Sequence, residues 1–575
     1  KAAKHGGTVL VFGSLSLARA IYQADFSATG ERAEIAGDAT TLRLEGGTGQ
    51  TLLSQLQEKG VMIPATCGGN GQCGKCRVRV TAGEVPVSEE DQRIFSEDEL
   101  RAGWRLACRA RAASTVEVAL PREDFADMQT ASVATHTDTK DNTEPVPTGK
   151  PYGIAIDIGT TTLAVSLVRR SDGTSLDTRT RVNPQVSYGA DVITRIRAAE
   201  DGKADAMRVA ICEALLEEIE TNLVRHGIGY ADIEAVVVAG NTTMLHLLQG
   251  YDVSGLGRHP FTPVTTALEK RTMKEVFDVV PDWPLEEITA AVPVILLPGV
   301  SAFVGADIVS GLYALDFDKN DKIFALIDLG TNGELVIGDK NRRLVTSTAA
   351  GPALEGGNIR YGTASIIGAV SGVRLEKDEA GLWQAEVERI GEYTSSGSGA
   401  ERGQDLPVAP GICGTGVIGM VAELKRTGLI DANGLLSEEY FEDGFPFAMR
   451  GDGTILTFNQ DDIREVQLAK AAIRAGLDIL CERYGIGVEQ LDKVYIAGGF
   501  GTFLPIDRAV AIGLLPEEIA DRTEAVGNTS LAGAIRMLTE PDAEARMEAL
   551  AAGCETLSLA EDDAFQKRYV EAMSL

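Results

Sequence analysis

The chain has 575 residues, 44% of them hydrophobic and 24% charged, a balance that suits several globular domains with cores of their own. Its 84 acidic residues outnumber 54 basic ones, and the formal net charge of −30 argues against nucleic acid or an anionic membrane as partner. Both would need basic patches, whereas a positively charged protein surface is compatible with such an exterior.

No segment reaches the roughly 18 apolar residues that span a bilayer. Residues 8–22 come nearest, but they are too short and carry Arg19; the basic start is compatible with a signal peptide, although no convincing cleavage site follows. Residues 1–31 therefore read as an N-terminal segment of unknown role.

Residues 32–121 read as one small domain. Thr41-Leu-Arg-Leu-Glu alternates like a strand, and Gln50 to Lys59 places Leu52, Leu53 and Leu56 on one helical face. Next comes Pro64-Ala-Thr-Cys-Gly-Gly-Asn-Gly-Gln-Cys-Gly-Lys-Cys76, in which Cys67, Cys73 and Cys76 follow a C-x5-C-x2-C spacing. Cys108 stands apart, with 31 residues intervening. One compact loop plus one distant cysteine is the ligand pattern of a plant-type [2Fe–2S] cluster, whose usual spacing is C-x4-C-x2-C…C. A zinc site or a disulfide pair is the competing reading, although zinc sites usually take two C-x2-C or C/H pairs and one is present. The loop glycines have a physical role, since wrapping a cluster and aiming N–H groups at its sulfurs demands positive φ.

After the loop, Cys76-Arg-Val-Arg-Val reads as a strand, and Ser88 to Glu99 as a helix on an exposed face. Gly103-Trp-Arg-Leu-Ala-Cys108 returns to the cluster, and Ser114 to Leu120 closes the sheet. This is the order of a β-grasp ferredoxin. Residues 64–121 resemble the ferredoxin domains of sodium-pumping quinone reductase flavoprotein subunits and of corrinoid-protein activators, which also have five residues in the first gap. The other cysteines, Cys212, Cys413, Cys481 and Cys554, are scattered as buried thiols in a reducing cytoplasm would be. Residues 122–150 are small, polar and proline-punctuated, and read as a linker: either a tether that lets the cluster domain swing or a plain spacer.

The remainder, 151–575, contains an internal echo. Ile154-Ala-Ile-Asp-Ile-Gly-Thr-Thr-Thr matches Ala325-Leu-Ile-Asp-Leu-Gly-Thr-Asn-Gly, 171 positions on. Each copy has an apolar strand ending in Asp, a glycine-containing turn, and a second apolar strand. Turn N–H groups and hydroxyls can hold phosphate oxygens. A carboxylate at the strand end can hold magnesium through water, because that ion keeps much of its hydration shell. One such motif is weak; two copies on matching strand pairs are strong. A long amphipathic helix pattern, Ile463 to Tyr484, then leads into Asp492-Lys-Val-Tyr-Ile-Ala-Gly498-Gly499. A strand ending in Gly-Gly lets backbone approach a flat ligand such as adenine.

These three signals, in this order, resemble the phosphate-1, phosphate-2 and adenosine motifs of the actin–Hsp70–sugar kinase superfamily. The resemblance covers about residues 151–540. It implies an α/β and α+β multidomain chain: a β-grasp [2Fe–2S] domain, then a two-lobed actin-like ATPase with a mixed sheet and flanking helices in each lobe. It also implies that ATP is bound by Asp157, Gly159, Thr160 and Thr161, by Asp328, Gly330, Thr331, Asn332 and Gly333, and by Gly498 and Gly499. Asp157 and Asp328 would be the catalytic pair, holding Mg2+ through water. Val237 to Met244 and Ala525 to Ser530 read as strand-to-helix turns capped by Asn or Thr. Gly411-Ile-Cys-Gly-Thr-Gly416 opens a helical run, either to bind phosphate at its N-terminus or to pack closely. Cys413 reads as a small buried residue before it reads as a ligand, and His246 as a core or surface histidine before a catalyst.

The combined architecture is similar to the reductive activators of corrinoid proteins, which pair an N-terminal [2Fe–2S] domain with an ATPase of this superfamily. The resemblance implies ATP-dependent transfer of an electron to a Co(II) corrinoid protein of a methyltransferase system, restoring Co(I). An external low-potential electron donor and a cytoplasmic location go with it. Residues 1–31 have no counterpart in that pattern, and the linker runs almost directly into the first Asp-x-Gly-Thr turn. Two other readings stand beside it. An electron-input subunit of a flavin or quinone reductase would need nucleotide motifs that are not evident here, and a redox-regulated sugar-type kinase would need a sugar site that is not identifiable.

Overall fold

The computed structural model describes residues 41–280 apart from 60, 62, 64, 66, 68, 70, 72, 73 and 121–148, and residues 287–575 apart from 392–405, 452, 499–503 and 561. Expectations for residues 1–31, most of the linker, Cys73 and Gly499 thus lie outside the described residues.

The N-terminal part is a four-stranded antiparallel sheet of β1 (Thr41–Leu44), β2 (Arg77–Ala82), β3 (Trp104–Leu106) and β4 (Val116–Ala119), in the order β1–β4–β2–β3. The expected last strand is central, not a closing edge. Helix Leu52–Glu58 lays Leu52, Leu53 and Leu56 against it, and Thr51 caps the helix by accepting from Ser54 N–H. The stretch read as one exposed helix is two. Glu89–Ile94 and Glu97–Arg101 each start at their own capping box, Ser88 with Asp91 and Ser96 with Glu99. Ser96 restarts the helix because its hydroxyl competes for the backbone. The face is not all solvent either: Asp91 is fully buried and accepts from Leu106 N–H at 2.8 Å.

Two six-stranded sheets form the rest. The first contains β5 (Tyr152–Ile158), β6 (Thr162–Arg169), β7 (Thr174–Val182), β8 (Ile233–Gly240), β9 (Glu269–Thr272) and β10 (Pro293–Leu296), in the order β7–β6–β5–β8–β10–β9. The second contains β11 (Phe324–Leu329), β12 (Gly333–Gly338) and β13 (Arg343–Thr348). Two hairpins follow, β14 (Val370–Lys377) with β15 (Trp383–Arg389), and β16 (Phe445–Met449) with β17 (Ile455–Phe458). Then β18 (Lys493–Ala497), β19 (Thr523–Gly527) and β20 (Cys554–Thr556) complete the second sheet as β19–β18–β11–β12–β13–β20.

The two sheets repeat one plan. Antiparallel β5–β6–β7 corresponds to β11–β12–β13, and parallel β5–β8–β10 corresponds to β11–β18–β19. Between the sheets lie helices Ala306–Ala314 and Thr529–Thr539, which share one core with Val237 and Ala239 of the first sheet and Leu326 and Val336 of the second. They cross at small residues. A Cβ on Gly533 would lie 2.1 Å from the Ser310 carbonyl, so only glycine permits this approach. Each lobe also keeps a core of its own. No helix among the described residues is long and apolar enough to cross a membrane.

Candidate functional site

The cysteine loop closes under the end of β3. Cys76 and Cys108 are buried and Cys67 is partly exposed. A hydrogen bond from Cys76, helped by the Gly71 N–H, holds the Cys108 thiol below its ordinary pKa against burial and the neighbouring Cys67. Gly69, Gly71 and Gly74 all have positive φ, between 69° and 85°, which lets the loop wrap inward without Cβ strain. Thiols converging under such a loop fit a cluster of sulfide-bridged irons better than a disulfide.

The second site lies where the two sheets face each other. In the β5–β6 turn Gly159 N–H donates to Thr162 O at 3.0 Å, and in the β11–β12 turn Gly330 N–H donates one residue sooner, to Asn332 O at 3.1 Å. Their threonines meet across the cleft, with the Thr161 and Thr331 hydroxyl oxygens 3.5 Å apart. One carboxylate oxygen joins them. Glu355 Oε2 accepts from Thr161 at 3.1 Å and from Thr331 at 2.6 Å. Behind the first turn, the fully buried Arg195 donates to the Thr160 and Gly189 carbonyls. Burial brings its pKa down to about 9, a fall that Asp191 and Glu355 oppose.

Asp157 and Asp328 stand at matching strand ends, paired in register with Ala239 and Ala497. Asp157 is held from the opposite lobe: Asn528, the N-cap of helix Thr529–Thr539, and Ser530 each donate to its carboxylate at 2.7 Å. Burial still raises its pKa, and the two donors oppose that rise. Asp307, in the first turn of helix Ala306–Ala314, brings a further carboxylate. Its pKa is also raised by burial and then by Asp157. Burial, Asp307, Asp157 and Glu355 together push Asp328 up to about 8. Glu334 is raised by burial and by Asp307 and Asp328. Buried Glu334 and the partly exposed Asp157, Asp307, Asp328 and Glu355 form a site whose charge is poorly compensated within the chain itself. Among the described residues no three of them are grouped to ligate a metal directly.

The Gly498 backbone has φ +114°, and a Cβ there would lie 2.2 Å from Leu329 O and 3.1 Å from an Asp328 carboxylate oxygen. Gly240, the last residue of the matching strand, would likewise meet Ile158 O at 2.8 Å. Both glycines thus allow adjacent strand ends to close up beside an aspartate. The Gly411–Gly416 run forms the start of helix Gly414–Arg426, where Gly414 and Gly416 pack against the Leu354 and Val370 carbonyls. Close packing accounts for those glycines. Cys413 is fully buried. His246 Nδ1 bonds the Thr242 carbonyl at 2.7 Å and Nε2 accepts from Val264 N–H at 3.0 Å, which makes it a structural histidine.

Sequence reasoning missed Glu355, Arg195, Asp307 and the reach of Asn528 across the cleft. A second echo was available: Val238-Ala-Gly-Asn241 and Ile496-Ala-Gly-Gly499 end corresponding strands.

The fold and site define a class: an actin-like two-lobed ATPase domain preceded by a [2Fe–2S] ferredoxin domain. Models of a 2Fe-2S iron-sulfur cluster binding domain match residues 35–113, of the RACo middle region residues 152–320, and of the C-terminal ASKHA domain of RACo residues 322–575. The chain is 32% identical over 440 residues to corrinoid activation enzyme RamQ of Eubacterium limosum, covering 73% of this chain and 69% of that one. It is 27% identical over 400 residues to the [Co(II) methylated amine-specific corrinoid protein] reductase of Methanosarcina barkeri, covering 68% and 70%. The solved structure of a reductive activator for corrinoid, iron-sulfur protein superposes with TM-score 0.65 at 27% identity, covering 93% of this chain and 98% of that one. The chain belongs to the RACo family of corrinoid-protein reductive activators.

Proposed function

We propose that the protein is an ATP-dependent reductive activator that passes one electron from a [2Fe–2S] cluster to the Co(II) corrinoid protein of a methyltransferase system, restoring Co(I). Cys67, Cys73, Cys76 and Cys108 would hold the cluster, which supplies a one-electron carrier refilled by an external low-potential donor in a reducing cytoplasm. Asp157 and Asp328 would hold Mg2+ through water. The Gly159–Thr161 and Gly330–Gly333 turns would bind ATP phosphates, and Gly498 with Gly499 would line the nucleoside end. The domain limits 32–121, 122–150 and 151–575 belong to this reading.

The observation that carries it is the meeting of the two Asp-x-Gly-Thr turns at Glu355, in a chain where Cys76 and Cys67 also neighbour Cys108. The raised carboxylates around that point favour the arrival of a cation with its nucleotide. Energetics explain the need for ATP. A plant-type cluster sits at roughly −400 mV. Each further 59 mV of uphill transfer costs about 1.4 kcal/mol. Lobe closure on ATP can favour a partner conformation that is easier to reduce, and hydrolysis releases it.

The test mixes the reduced, cluster-loaded protein with a Co(II) corrinoid protein and follows the cobalt spectrum. Co(I) should accumulate with Mg–ATP and not without it; equal reduction under both conditions defeats the proposal.

A further inference from the structure

The cysteine-loop domain is not free of the ATPase lobes: among the described residues it meets each of them beside a phosphate turn. On the first lobe, Gln57 Nε2 donates to Ser187 O at 2.8 Å, and Ala65 N–H donates to Val186 O at 3.4 Å. Val186 and Ser187 lie in the short helical turn Pro184–Ser187, directly after Asn183. Asn183 is fully buried; its backbone N–H donates to Thr161 O and its side-chain amide to Gly159 O, both at 2.8 Å. On the second lobe, Lys75 Nζ, adjacent to Cys76, donates to Gly362 O at 2.8 Å and Ile359 O at 3.2 Å. Those carbonyls belong to the segment that begins at Glu355.

That segment is stiff. A Cβ on Gly362 would lie 1.9 Å from Gly356 O, and one on Gly356 would lie 2.5 Å from Thr363 O, so its two ends are packed face to face. Arg360 N–H is pinned to Asp462 at 2.7 Å, at the start of helix Gln460–Tyr484. On its other side, Gly414 places the N-terminus of helix Gly414–Arg426 against the Leu354 carbonyl. Packed elements of this kind move as units and do not deform smoothly.

We propose that residues 355–362 are a lever between the cleft and the cysteine-loop domain. While Glu355 clasps Thr161 and Thr331, the Ile359 and Gly362 carbonyls hold Lys75, and the domain stays docked on both lobes. When nucleotide phosphate takes over the two threonine hydroxyls, Glu355 moves, the carbonyls turn, and the docked loop is released towards an outside acceptor. This regulation rests on the cleft being the ATP site. Coupling of this kind is reciprocal: whatever weakens docking strengthens nucleotide binding by the same factor.

The test uses the full-length, cluster-loaded protein with Mg2+ and a non-hydrolysable ATP analogue, read by amide hydrogen exchange and calorimetry. The Ala65 amide reports docking directly. Its exchange should rise severalfold on analogue binding. Gln57→Ala and Lys75→Ala should raise it without nucleotide and tighten analogue binding by about fivefold or more. Gln57 lies outside the cysteine loop, so an unchanged visible cluster spectrum in Gln57→Ala shows that the domain remains folded. If the analogue binds with Ala65 protection unchanged or increased, or if both variants bind it with wild-type affinity, the lever is overturned while the ATP site stands. If no analogue binds, the ATP reading itself falls, and the lever with it.

Discussion

Asp328 concentrates the electrostatics of the cleft in one residue. Partly buried and faced by Asp307, Asp157 and Glu355, its carboxyl is pushed up to about 8 from 3.8. The nucleotide-free fold therefore favours the protonated acid. The stability this contributes is full below pH 3.8 and is lost as pH rises through about 8. The thermal midpoint of nucleotide-free protein should fall across that window, and Asp328→Asn, which carries no charge to lose, should flatten the fall. The same substitution should lower ATP turnover by about a hundredfold or more, the scale of removing a preorganised charge. The visible cluster spectrum should be unchanged; losing both would tie the cluster to the cleft as one folding unit. Asp157 and Asp328 were legible because a strand, an acid and a glycine turn are contiguous in the chain. Glu355 was not, since Pro352-Ala-Leu-Glu355 carries no local signal and acquires its meaning from Thr161, 194 positions away.

Among the elements, the pair of helices between the sheets joins the two lobes through one core. Helix Thr529–Thr539 follows the second sheet, yet Leu531, Ala534 and Ile535 share a core with β5, β6 and β8 of the first. Its N-cap Asn528 and its Ser530 reach Asp157 of the first lobe, so each lobe lends the other part of its site. Gly533→Ala forces a methyl group onto the Ser310 carbonyl, an overpacking that costs about 1–3 kcal/mol. Calorimetry should show a lower unfolding temperature for this variant, and ATP turnover should change with it. Gly451→Ala, where nothing lies within 4 Å, should leave both alone. Long, periodic elements were legible: helix Gln460–Tyr484 starts only three residues before its sequence-based limit, at the cap Asn459. Short elements were less so. The Ser88–Glu99 stretch divides because Ser96 supplies a second capping box, and Phe95, between the two helices, is buried.

For the whole molecule, cluster and cleft are separate structures joined at a few contacts, and their properties should separate by mutation. Cys108→Ser should remove the visible absorption of the cluster and abolish cobalt reduction, while ATP binding by calorimetry persists. Loss of ATP binding as well would show that the lobes depend on the cluster domain for their own fold. By itself the sequence determined the order of the parts, because the cysteine loop and the Asp-x-Gly-Thr turns are short contiguous motifs built on local backbone geometry. It also determined the duplication of the Asp-x-Gly-Thr hairpin. Only the tertiary structure decided how the two copies face each other, which carboxylates share their cleft, and where the cysteine loop rests. Those relations join residues such as Lys75 and Gly362, 287 positions apart, through backbone carbonyls that every residue carries and that leave no mark on the sequence.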